Sequence, residues 1–427
     1  MTKGSSNILI RIALTCFSMV FLLLPFALST TAHADGGFPI IGVLHNGRAP
    51  EALAVDTQTH MLYIAYEAPG LIVGFDPISG TVRWHTPLNN VATDVQVDNN
   101  SHRVYASAVS YQDGRSNLYV LDGSSGKVLA TMYSGSGDNS IALDSPHHIV
   151  YASSEDRDTI YKYTFQSGWQ SGPIQIQTSQ FTVGPRPDAL GVNSRLGRLY
   201  VADSATNTVT VINENNGHTL ATILVAAMPL PPLRVDEANS RVYVVCSAGQ
   251  ELDVIDGNTN KVIARPPVAP YPEGVAFNTA TGQIYVADEG SEEGSRKPDS
   301  GTTVTVIDGQ TFDVLGNLQI GRGPDGVESD PSLHRVYIAA EDSNTVTEIT
   351  DSTDLPLTSH NLARQIIAAD QTISFLQQAA IVTLIAMFLT IVGAALGALL
   401  QHWRAREIPQ NPPTVASSRL ERHSPPR

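Results

Sequence analysis

Four carboxylates in this chain stand directly after a proline, each opening a similar apolar phrase: Pro50-Glu51, Pro187-Asp188, Pro272-Glu273 and Pro324-Asp325. Brought to one place, such hard oxygen ligands suit a divalent cation, Ca²⁺ or Mg²⁺, or a cationic organic group. Left apart, they are solvated residues that share no ion. A second acidic group, Asp288, Glu289, Glu292 and Glu293, crowds the stretch DEGSEEGSRKPDSG, which reads either as a recognition loop or as a solubilising insertion. His60, His102, His148 and His334 each fall four residues after an aspartate, in separate units and inside turns. That placement suits a residue tolerant of positive φ and argues against a shared zinc. No G-x-S-x-G, HExxH, P-loop, CxxC or CxxCH arrangement occurs, so no catalytic residue and no cofactor is identified beyond the possible divalent cation.

The elements that must carry these residues repeat. Asp56/Tyr63, Asp98/Tyr105, Asp144/Tyr151, Asn193/Tyr200, Asp236/Tyr243, Asn278/Tyr285 and Asp330/Tyr337 share one spacing, and successive pairs lie about 40 to 50 residues apart. Each unit divides into four short strands. The first, such as EGVAF, ends at Asp or Asn, where the side chain opens a turn. A second carries the tyrosine, as in RLYVAD. A third comes next, as in TVTVIN or LDVID, and a turn such as DGNTNK leads to a fourth. Four strands per unit, repeated seven times, predict an all-β, seven-bladed β-propeller. Seven equivalent tyrosines are best explained as packing between blades, each hydroxyl reaching a polar edge.

The phrases Tyr200-Val201-Ala202-Asp203 and Tyr285-Val286-Ala287-Asp288 resemble the signature strand of the YVTN-repeat family of seven-bladed propellers, over about residues 38 to 351. Blade three departs from the pattern with YKYTFQSGWQSGPIQIQTSQF. The seventh unit supplies only three strands, while FPIIGVLHNGRAPEAL near the start matches DVLGNLQIGRGPDGV. Residues 38 to 45 are therefore expected to close the ring as the missing fourth strand, which protects open sheet edges. The resemblance implies that first strands line the axial channel. It sets the residues opening them, Glu51, Thr93, Asn139, Asp188, Pro231, Glu273 and Asp325, around one mouth, on the face that also carries the long second-to-third loops.

Both ends of the chain read as addresses. Residues 1 to 34, with Lys3 and Arg11 before an apolar run and Ala32-His33-Ala34 after it, have the pattern of a secretory signal peptide. Removal of that segment would leave Cys246 as the single cysteine, in an expected buried strand. The run from Ala379 to Leu400 carries no charge, and at about 1.5 Å per residue it spans a bilayer of roughly 30 Å. It predicts a transmembrane helix over residues 376–401, after a linker at 352–372. Arg404 and Arg406 place the Pro-rich tail 402–427 in the cytoplasm. Gly393 and Gly397 form a GxxxG, a candidate homodimer contact. The chain's formal charge of −15 argues against nucleic acid as a partner.

The expected function is a single-pass, membrane-anchored extracytoplasmic propeller that binds an unknown protein or surface polymer at the cell surface, without catalysis of its own. Two alternatives stand beside it. One is a metal-dependent lactonase-like hydrolase using the acidic channel mouth, which the resemblance suggests. The other is a structural envelope protein.

Overall fold

In six of the seven units the Asp or Asn that ends the first strand opens its turn by accepting a backbone N–H two residues on, three residues on, or both. Asp56 does so from Gln58 and Thr59, and Asp330 from Ser332 and Leu333. Four residues after it the backbone turns left-handed in all seven units, at His60, His102, His148, Gly197, Ser240, Gly282 and His334, with φ between 52° and 74°. The recurring histidines are thus turn residues, as their spacing predicts. The computed structural model describes residues 48–88, 90–166, 175–290 and 301–351, and the backbone of Arg364–Ile367.

These turns join seven antiparallel four-stranded sheets, the blades of a seven-bladed β-propeller. Blade four shows the pattern: Pro187–Asn193, Arg198–Asp203, Thr208–Asn213 and Thr219–Leu224, running from the first strand to the fourth. The irregular blade three is also complete, with Thr159–Phe165 pairing Ile176–Thr182 across residues 167–174, which lie outside the described residues. Second strands such as Arg241–Cys246 are buried on both faces because each blade is sandwiched between two others. Fourth strands such as Thr219–Leu224 are largely exposed. Cys246 is buried. The ring is closed through side chains: Leu53, Val55 and Ile64 of blade one share a core cluster with Tyr337, Ala339 and Val346 of blade seven.

The outer strand of blade seven differs from the sequence expectation. Arg364–Ile367 pairs with Thr345–Glu348, so the fourth strand comes from the C-terminal side, within the segment expected to be a linker. Residues 38–45, expected in that place, lie outside the described residues. Backbone hydrogen bonding explains why either segment suits the position, since an exposed strand edge accepts any extended chain of matching length. The chain divides into two units, Met1–Ala368 and Ala369–Arg427, and the second lies outside the described residues. That unit contains the whole of the expected transmembrane helix 376–401, with Gly393 and Gly397. Among the described residues no helix is long and apolar enough to cross a membrane.

All seven repeat tyrosines are buried between blades. Three of the hydroxyls reach the turn after the third strand of the next blade: Tyr63 donates to the Gly123 carbonyl at 3.2 Å and Tyr200 to that of Gly257 at 3.4 Å. Tyr285 donates instead to the Asp351 carboxylate at 2.7 Å. Basic side chains donate to carbonyls at this turn, Arg198 to Gly257, Arg241 to Gly309 and Lys162 to Glu214. Two turn histidines bridge blades as well. His102 Nδ1 lies 2.6 Å from Asp56 of blade one, and His60 Nδ1 lies 2.8 Å from Asp330 of blade seven. On the other face, left-handed residues in the second-to-third loops hold the loop that leads into the following blade. Asn344 accepts from the Ala49 N–H, Asp158 from Arg186 and Asn207 from Met228.

Candidate functional site

A proline and a β-bulge fix the place of the acids at the start of their first strands. Two residues before each of four of them the backbone is left-handed, at Ala49, Arg186, Tyr271 and Gly323, and the next residue, a proline, begins or lies within the strand. The register then slips between Pro50 and Ala52, Pro187 and Ala189, Pro272 and Gly274, and Pro324 and Val327. Glu51, Asp188, Glu273 and Asp325 are therefore bulge residues, released from the pleat and re-aimed. In blades two and three the equivalent Thr93 and Asn139 are neutral and tied to neighbouring strands, Thr93 to Ser107 at 2.7 Å and Asn139 to the Ser134 carbonyl at 3.1 Å.

The four acids do not form one cluster. Glu51 and Asp325, from adjoining blades one and seven, share a field with Asp138, Glu67 and Glu341. Burial first, and then these negative charges, hold the Glu51 carboxyl well above the usual carboxylate range. Asp188 stands apart beside Glu155 and Arg186, and burial pushes it up to about 6 against the pull of a Ser204 hydrogen bond. Glu273 accepts from the Ser247 hydroxyl at 3.3 Å. Glu67, Glu155 and Glu341, which sequence reasoning overlooked, form a second set of acids together with Glu289, which it had assigned to the acidic loop. Each lies four residues after a repeat tyrosine, a spacing legible in the sequence. Tyr111, 80% exposed on the second-to-third loop of blade two, donates to Glu67 Oε1 at 2.8 Å. That bond, some burial and the charges of Glu67, Glu51 and Asp138 push its hydroxyl up to about 12.

Asp288 is placed differently from a loop ligand. It ends the second strand of blade six, is fully buried, and takes hydroxyls from Thr305 at 2.8 Å and Thr303 at 3.3 Å. Asp203 repeats this in blade four with Thr210 at 2.7 Å. Burial raises Asp288 to about 7 and Asp203 to about 6. Glu289 comes next and is half-buried; Glu292 and Glu293 lie outside the described residues.

Deeper in the channel Arg234 of blade five reaches three other blades. It donates to Glu328 at 2.9 Å, to the Val275 carbonyl at 3.3 Å and to Gln96 at 3.5 Å. The guanidinium thus spans the channel below the acidic mouth and gives it a polar floor. Among the described residues, no three His, Cys, Asp or Glu side chains are grouped so as to hold a metal ion. Comparison with protein-family models and with curated proteins returned no match in either case.

Proposed function

We propose that this protein is a binding module of the YVTN-repeat kind, anchored in the cell membrane with its propeller outside the cytoplasm. Its working surface is the face bearing Glu51, Glu67, Tyr111, Asp138, Asp325 and Glu341, and its ligand is a cationic segment of a protein or surface polymer. The observation that carries this reading is the convergence of carboxylates from several blades around a rim that also exposes a tethered tyrosine. A rim of like charges costs stability in the free protein, and a cation relieves that repulsion. The aromatic ring adds a face for an ammonium or guanidinium group. The reading assigns no reaction to the site.

A direct test measures binding of the full-length chain to a lysine-rich peptide and to a glutamate-rich one across a salt series. The expected result is selective, salt-sensitive binding of the lysine-rich peptide, weakened about tenfold or more in a Glu51→Gln/Asp325→Asn variant. Equal binding of both peptides, or an unchanged affinity in the variant, would remove the support for this surface. Crosslinking on intact cells with the same variant then identifies the natural partner.

A further inference from the structure

The interface between blades three and four breaks the repeat in several places at once, on the face opposite the acidic mouth. Where blades one and two send a left-handed histidine to the preceding blade, blade four has Gly197. Asp144 of blade three therefore lacks a cross-blade histidine and is bound instead by His147 of its own turn, at 2.8 Å. After the third strand, where blades two, five and six have Gly123, Gly257 and Gly309, blade four has Glu214, whose N–H makes the same bond to Gly197. Lys162 reaches across to the Glu214 carbonyl at 2.8 Å, its ammonium lying 5.7 Å from the Tyr151 ring centre.

Two buried polar atoms are left over. Glu214 is 4% exposed and its Oε1 has no hydrogen-bond partner among the described residues; neither has the hydroxyl of Tyr151, a repeat tyrosine that meets a glutamate in the next turn. Blade seven carries an acid at the same register, Asp351, and there Tyr285, Thr281 and Asn278 all donate to it. One carboxylate is thus fully bonded and the other incompletely, though both occupy the same place in the repeat.

We propose that the blade three–four interface is a proton-operated latch, tight when Glu214 is protonated and loosened when it ionises. The charged and titratable groups around Glu214 are Asp144, His147, Tyr151 and Lys162 from blade three and Glu237 from blade five. Burial, followed by the charge of Asp144, raises Glu214 to about 7 despite the opposing pull of Lys162 and His147. A carboxyl raised in the folded state stabilises fully below its unfolded value, and that stabilisation is lost as pH rises through the folded one. The loosening is therefore expected between about pH 5 and about pH 7, with the interface at its weakest above.

Hydrogen exchange on the full-length chain, corrected for intrinsic rates and compared at about pH 5.5 and about pH 8, tests this. Protection of Ile149–Ser154 and Thr159–Phe165 is expected to fall roughly tenfold or more at the higher pH. In Glu214→Gln, and in Glu214→Gly, which restores the residue of the other blades, that fall should shrink to the one seen in the second and third strands of blades one and two. A fall in either variant that still exceeds theirs, or no excess in the parent chain, overturns the latch.

Discussion

Single hydroxyls separate the seven tyrosines, although one rule places them all. Tyr285 gives its proton to the buried Asp351, whereas the hydroxyl of Tyr243 has no partner among the described residues. Removing the first should therefore cost more than removing the second, because a buried carboxylate loses a donor. Tyr285→Phe is expected to lower unfolding stability by about 1.5–3 kcal/mol, and Tyr243→Phe by less than about 0.5 kcal/mol. Denaturant midpoints at constant slope would read the difference, and equal losses would mean that ring packing alone decides. The rings were legible in the sequence from their sevenfold spacing. The hydroxyl partners were not, because each depends on which residue the next blade sets at its turn: Gly123, Gly257 or Asp351.

At the scale of the strand, the acids divide by their neighbours in the chain. Glu51, Asp188, Glu273 and Asp325 are turned out by a proline and a bulge, while Asp203 and Asp288 end second strands and point into the protein under threonine hydroxyls. Sequence spacing exposes the first group, since Pro-Glu and Pro-Asp recur in register. It hides the second, because an acid after Val-Ala looks the same whether the strand continues or a loop begins, and only the Thr-x-Thr of the facing strand shows that the side chain is held. The buried pair has a pH signature with a definite sign. Both carboxyls are raised, Asp203 to about 6 and Asp288 to about 7, so their contribution is most favourable at low pH and is lost as pH rises through those values. The thermal midpoint should accordingly rise when pH drops from about 8 to about 5. Asp288→Asn should recover up to about 4 kcal/mol at the higher pH and flatten the slope. A midpoint that falls over that range in the parent chain, with no flattening in the variant, would contradict the assignment.

Among the described residues, neighbouring blades are joined by tyrosines, loop residues and turn histidines, and Arg234 makes a contact that crosses the centre. It links blade five to blades two, six and seven, and Asp94 of blade two also lies in its field. Ring folds built of like units risk opening at one interface, and a cross-channel ion pair couples interfaces that share no edge. Truncating one member of a largely buried pair leaves the other without compensation, so Arg234→Ala is expected to cost about 3–5 kcal/mol. Arg234→Met keeps the stem and should cost less. The decisive measurement is a double-mutant cycle with Glu328→Gln, blades apart in sequence and in the ring. A coupling energy of about 1–3 kcal/mol would identify the pair as a tie across the channel, since residues without a shared contact add to within about 0.5 kcal/mol. Simple additivity would reduce Arg234 to a packed side chain and leave the ring held by its neighbouring interfaces alone.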